Sequence, residues 1–235
     1  MDFNRRGLLK GAAGLSLAAT GVIGAPAFSQ ASNRVLKFVP QANLANFDPI
    51  WGTQYVVRNG AQLVWDTLYG VDDKLQPKRQ MIESEEVSSD GLTWTFKLRS
   101  GLKFHDGTPV RAVDCVASIT RWSARDPMGL MLKALQKELV AVDDNTFKWV
   151  LSAPYPKVLL ALGKVGTPCC FIMPERIAKT DPFKQIEEYV GSGPMKFARN
   201  EYKPGALAVF EKFNDYQPRN EPTNWMSGGK IIHFD

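Results

Sequence analysis

The stretch that most limits the fold runs from Asp90 to Trp122, because the hydrophobic period changes inside it. Leu92, Trp94, Phe96 and Leu98 alternate with Thr93, Thr95 and Lys97, which predicts a strand buried on one face. Asp90-Gly91 precedes this run, and Ser100-Gly101 and Asp106-Gly107-Thr108-Pro109 follow it as turns. Ala112, Cys115, Val116, Ile119 and Trp122 then recur at helical spacing. The run reads as strand, turn, short strand, turn and helix, and the expected fold class is mixed α/β.

Residues 91–114 read G-L-T-W-T-F-K-L-R-S-G-L-K-F-H-D-G-T-P-V-R-A-V-D. This run resembles the signature of the family 5 extracellular solute-binding proteins, the peptide- and oligopeptide-binding receptors of ABC importers. Shorter matches lie at Trp65-Asp66-Thr67-Leu68-Tyr69, Pro174-Glu175-Arg176, Val190-Gly191-Ser192-Gly193-Pro194 and Phe213-Asn214-Asp215-Tyr216. The family usually places a capping residue, often Thr, before its Ala-Glu-Asp, where this chain has Arg111-Ala112-Val113-Asp114. That loses a good N-cap, so Thr108 followed by Pro109 becomes an alternative helix start.

The resemblance implies a two-lobed periplasmic binding protein of type II architecture, truncated before the second large lobe. Residues 32–48 and 186–235 would belong to the first lobe, and 49–185 to an inserted domain carrying the signature. The Val190–Pro194 turn would be where the chain crosses back to the first lobe. Arg34–Val39 has the composition of a first strand, ended by Pro40. In the family the loop after it leads to the ligand cleft, so backbone groups of Gln41, Ala42 and Asn43 become candidate ligand contacts. An ordinary surface loop is the alternative.

The N-terminus reads as an address. Asn4-Arg5-Arg6-Gly7-Leu8-Leu9-Lys10 precedes a weakly apolar, Gly- and Ala-rich run to Ile23, with small-x-small cleavage sites at Ala25-Pro26-Ala27 and Ser29-Gln30-Ala31. That pattern is a twin-arginine signal peptide over residues 1–31. The run is shorter than the roughly 20 residues a membrane span needs. No cysteine adjoins the cleavage sites, so the expectation is a free periplasmic protein. Removing residues 1–31 leaves 204 residues and lowers the net charge from +5 to +3, because Arg5, Arg6, Lys10 and Asp2 go with it. A mildly basic chain with interspersed acids and bases has no nucleic-acid footprint.

Elsewhere the pattern predicts a helix over 54–68 from Val57, Ala61, Val64 and Leu68, closed by Gly70. A meander strand begins at Glu83, and a second one-sided helix carries Met128, Met131, Leu132 and Leu135. Residues 139–142 and 146–151 form a hairpin around Asp143-Asp144-Asn145. Val158–Leu162 starts a short helix, Ala206–Glu211 is a strand, and Gly228–Asp235 is a closing strand.

Two groups invite an enzymatic reading. His105-Asp106 can orient an acid or base, yet it sits in a turn and the only other histidine is His233. Cys169 and Cys170 are adjacent, whereas a redox motif places two residues between its cysteines. Cys115 reads as a small core hydrophobe. No cysteine or histidine cluster has metal-ligand spacing, and no cofactor is expected.

The function expected is therefore capture of a peptide or similar small solute for delivery to an ABC permease of the inner membrane, by a monomer that does not itself span the membrane. An exported hydrolase or redox enzyme is the first alternative, and a truncated, non-binding remnant the second. Residues 32–235 alone are expected to bind weakly or not at all.

Overall fold

Four antiparallel strands with a helix laid across them hold the centre of the molecule. The structure is a computed structural model and describes residues 35–230. The chain divides after Lys37, and every element lies in the unit that begins at Phe38. In chain order these are α1 (Tyr55–Val64), β1 (Tyr69–Val71), β2 (Pro77–Arg79), β3 (Ile82–Val87), β4 (Thr93–Leu98), α2 (Ala112–Ser123) and α3 (Pro127–Leu135). There follow β5 (Gln136–Ala141), β6 (Thr146–Leu151), α4 (Val158–Gly163), α5 (Glu175–Ala178), β7 (Met195–Phe197), a 3-10 turn (Arg199–Glu201) and β8 (Phe210–Lys212).

The central sheet has the order β3-β4-β6-β5. Its register places Trp94 opposite Trp149 and Phe96 opposite Phe147, and the last two rings stack with centroids 4.9 Å apart. Phe96, Leu98, Phe147, Trp149 and Leu151 are buried, and so are Ala112, Cys115, Ile119 and Trp122 of α2. Each large apolar side chain so buried contributes on the order of 1.5–3 kcal/mol. The strand, hairpin and helix read from the sequence all stand. Two small ribbons, β1-β2 and β7-β8, complete the strands among the described residues.

Several boundaries differ from expectation, each for an identifiable reason. The first strand expected at Arg34–Val39 is absent from its described residues: Val35–Pro40 pair with no strand, and Val35, Leu36, Phe38 and Val39 are exposed. An extended run becomes a strand only with a partner, and none lies among the described residues. The helix expected over 54–68 stops at Val64, where Trp65 is already extended. Asp66 and Thr67 give their backbone groups to the 171–172 segment instead, through an Ile172 N–H bond of 2.9 Å to the Asp66 carbonyl and a Thr67–Phe171 bridge. Gly70 is no helix cap but part of β1, where a Cβ would stand 2.1 Å from the Met226 carbonyl oxygen.

Thr108 does not start α2. Its N–H and hydroxyl both bond Asp106 (3.0 and 2.6 Å), while α2 begins at Ala112 and Asp114 accepts the Arg111 N–H at 2.7 Å. The other oxygen of Asp114 accepts the Glu175 N–H at 2.7 Å, so one carboxylate fixes the starts of both α2 and α5. Met131 turns outward from α3, leaving Leu132 as its buried apolar anchor. The strand expected over 206–211 shrinks to β8, with Leu207 only bridging Lys203. The signal-peptide reading of residues 1–31 and the closing-strand residues 231–235 lie outside the described residues.

Candidate functional site

Three Asp-Pro steps, at Asp48-Pro49, Asp126-Pro127 and Asp181-Pro182, shape one face of the molecule. An Asp side chain readily accepts backbone N–H groups two or three residues on, while the following Pro fixes φ. Asp48 accepts the amides of Ile50 and Trp51 (2.9 and 3.2 Å). Asp126 accepts those of Met128 and Gly129 (both 2.9 Å) and so caps α3. Asp181 accepts the amide of Phe183 (2.7 Å).

A buried ion pair joins two of these turns. Arg121 and Asp48 meet at 2.7 Å with side chains each 1% exposed. Arg121 also donates to the carbonyls of Thr180 (3.1 Å) and Lys184 (3.0 Å), and Asp48 accepts the Ile186 N–H (3.0 Å). Every polar atom of so buried a pair must be satisfied for the pair to be tolerated, and here the satisfaction also clamps the 180–186 loop to the 48–51 turn.

The side chains so displayed are Trp51 and Phe183, 37% and 66% exposed. Arg125, one helical turn beyond Arg121, joins them. Its guanidinium carbon lies 4.8 Å from the centre of the Phe183 ring, and its Nη2 reaches the Trp51 carbonyl at 3.5 Å. A second cation–π pair lies a few residues on in the chain: Arg58 lies 4.7 Å over the ring of Tyr55, which is 61% exposed. Hydrogen bonds from Thr167 Oγ1 to the Thr53 carbonyl (2.9 Å) and from Arg58 Nη1 to the Val165 carbonyl (2.9 Å) tie the segments together. Exposed aromatic faces beside guanidinium groups can stack on a solute and donate hydrogen bonds to it.

The residues expected to contact ligand lie elsewhere. Gln41, Ala42 and Asn43 are exposed, with Asn43 against Gly205 and the Leu44 carbonyl accepting the Tyr202 hydroxyl at 2.6 Å. No described contact brings them to Trp51 or Phe183.

His105 and Asp106 do not act on one another. His105 Nε2 donates to the Gly193 carbonyl (2.9 Å), Gly191 N–H donates to Nδ1 (3.3 Å), and His105 N–H donates to the Gly191 carbonyl (2.8 Å). Both ring nitrogens are thus committed to the Val190–Pro194 turn, and burial lowers the imidazole pKa to about 4. Asp106 instead bonds Thr108 and, at 2.8 Å, Arg176. All three cysteines are unbridged and buried. Burial raises their thiol pKa values, that of Cys169 to about 11, so the nucleophilic thiolate is suppressed. Among the described residues no three His, Cys, Asp or Glu side chains gather as a metal-ligand group.

The sequence model described as bacterial extracellular solute-binding proteins, family 5 Middle, matches residues 76–229. The chain belongs to this family. The family 5 chain is 38% identical over its whole length to a probable peptide ABC transporter periplasmic-binding protein of Sinorhizobium fredii, of which it covers 44%. Over 65% of its length it is 32% identical to a glutathione-binding protein of Escherichia coli K12, covering 30% of that protein. It therefore spans less than half the length of these relatives.

Among solved structures, the PBP AgaA of A. tumefaciens R10 in complex with agropinic acid matches with a TM-score of 0.61 and 27% identity, over 76% of this chain and 35% of that one. A Bacillus anthracis oligopeptide ABC transporter substrate-binding domain matches with a TM-score of 0.63 and 23% identity, over 79% and 39%. The latter shows the fold, which is that of periplasmic binding proteins over the part covered.

Trp51, Arg125 and Phe183 obey no period, so the sequence singles out none of them; the signal it carries is the Asp-Pro step near each.

Proposed function

We propose that this chain is part of a periplasmic receptor that captures a peptide or similar small solute between two lobes and delivers it to an ABC permease. Membership of family 5 carries this reading, and the names of the relatives agree with it. The exposed aromatic and arginine surface is suited to binding. Residues 1–31 serve as the twin-arginine signal peptide, placing the mature protein in the periplasm.

In this reading residues 32–48 and 186–235 form part of the first lobe and 49–185 the inserted domain. The packing of Phe47 against Tyr189, Phe197 and Phe210, with ring centroids 5.8, 4.7 and 5.8 Å away, supports joining the first two segments. Backbone groups of Gln41, Ala42 and Asn43 contribute contacts from the exposed loop. Closure of the second lobe over the first completes the cleft. Because that lobe supplies much of the cleft, the present residues alone bind weakly.

The protein is a binder and not an enzyme. His105 is held by backbone groups on both nitrogens, and the cysteines are buried and protonated. The complete protein should show a saturable rise in melting temperature with a pool of short peptides. Cys169→Ala should leave that response intact, whereas an enzyme relying on the thiol would lose its activity. Absence of any response across peptide and small-solute pools would overturn the receptor reading.

A further inference from the structure

We propose that this chain folds, and buries its three thiols, in a reducing compartment before it crosses the membrane, because the same thiols would trap an unfolded chain in wrong disulfides on the oxidising side. This order of events rests on the export reading above and does not depend on which solute is bound.

Cys115, Cys169 and Cys170 are unbridged and at most 1% exposed. Their burial is a product of the finished fold, since each lies where segments distant in sequence meet. Cys115 stands on α2, which packs on a sheet whose β4-β6 pairing joins Thr93 to Val150. The segment carrying Cys169 and Cys170 is tied to α2 by bonds from Trp122 Nε1 to the Pro168 carbonyl (3.0 Å), from Met173 N–H to Ser118 Oγ (2.9 Å) and from Glu175 N–H to Asp114 (2.7 Å). Its other attachments are the Ile172 N–H bond to the Asp66 carbonyl and the Thr67–Phe171 bridge. Contacts so far apart in sequence form slowly. The thiols therefore stay open to solvent until the chain from Asp66 to Glu175 has assembled.

An exposed thiol has a pKa of about 8.5, and its thiolate attacks disulfides. Burial in the fold raises all three, that of Cys169 to about 11. On the oxidising side, the Cys115 thiolate of an unfolded chain attacks the disulfide of a protein oxidant and forms a mixed disulfide. The Cys169 or Cys170 thiolate then displaces the oxidant, which leaves as a dithiol carrying the two electrons and two protons the chain has lost. Neither product is part of the fold. Cys169 and Cys170 compete evenly for Cys115, because they are neighbours about 55 residues from it. Either choice leaves the other thiol to pair with a second molecule, and a bridge between the neighbours themselves closes a strained ring. A chain that folds first in a reducing cytoplasm arrives with its thiols buried and inert. The Arg5-Arg6 address is of the kind that sends a chain across already folded.

The test exports the complete protein twice, once behind its own residues 1–31 and once behind a signal peptide that threads chains across unfolded. Periplasmic extracts are quenched in acid and alkylated in denaturant, and the peptides carrying Cys115, Cys169 and Cys170 are read by mass. Behind its own signal peptide all three cysteines should be alkylated, and Arg5→Lys with Arg6→Lys should empty the periplasmic fraction. By the unfolded route soluble protein should fall about fivefold or more, with Cys115 recovered in disulfide linkage to Cys169, to Cys170 or to a second chain. Two changes should each restore the yield by that route: the triple variant Cys115→Ala, Cys169→Ala, Cys170→Ala, and a host lacking its periplasmic thiol oxidant. Equal yields with three free thiols by both routes overturn the proposed order. So does a bridge among the three in protein exported behind its own signal peptide, or a low yield that neither the variant nor the host restores. Wild-type protein retained in the cytoplasm, or export that survives the two lysines, overturns the twin-arginine reading as well.

Discussion

Asp48 links stability to the exposed Trp51 surface through one carboxylate. It neutralises Arg121 at a site from which both side chains are almost wholly excluded from solvent, and it carries the amides that orient Trp51. Replacing it by Asn leaves a buried guanidinium without a counter-charge, an arrangement that costs about 3–5 kcal/mol. Urea unfolding of Asp48→Asn should show a loss of that size, and a loss under about 1 kcal/mol would contradict the assigned role. The cysteines give a second test at this scale. Their raised pKa values and burial predict that none of the three reacts with a thiol reagent at pH 8 in the native protein. All three should react once denatured.

At the scale of elements, the Val190–Pro194 turn is the junction where the signature loop, the end of α1 and the β7-β8 ribbon meet. Gly191 and Gly193 lie against the Val64 backbone, and a Cβ on Gly191 would stand 2.0 Å from the Val64 carbonyl oxygen. No side chain can yield there, so Gly191→Ala should destabilise by about 3 kcal/mol or more in a denaturation experiment.

His105 holds the same turn as a neutral imidazole whose pKa is lowered from 6.5 to about 4 by burial, while Lys196 and Asp106 act on it in opposite directions. Between those two pH values the unfolded chain binds a proton that the folded chain refuses, so stability should fall as pH drops from 6.5 towards 4. Its contribution is fully present above pH 6.5. His105→Gln should be less stable at neutral pH and show a flatter profile across that window. An unchanged slope would show that another group causes the acid sensitivity.

The legibility of these elements follows from where their instructions reside. The alternation Trp94, Phe96, Leu98 and the helical recurrence Cys115, Ile119, Trp122 are local, so the central sheet and α2 could be read directly. The end of α1 could not, because Leu68 continues its apolar period while Asp66 and Thr67 are captured by a segment a hundred residues away. Tertiary pairing overrides local pattern there. The candidate surface was the least legible part: Trp51, Arg125 and Phe183 are brought together by hydrogen bonds of Asp48 and Arg121 that no period announces.

For the whole molecule, family membership and the observed fold concern less than half the length of the curated relatives. The described part carries exposed aromatic side chains, Trp51 and Phe183, with the Arg125 guanidinium against the Phe183 ring. In the proposed function these side chains bind the solute. Isothermal titration of the complete protein with a pool of short peptides, comparing wild type with Phe183→Ala and Trp51→Ala, tests it directly. Saturable binding that weakens about tenfold or more in each variant, with melting temperatures nearly unchanged, is the predicted result. Equal binding by all three proteins would contradict it.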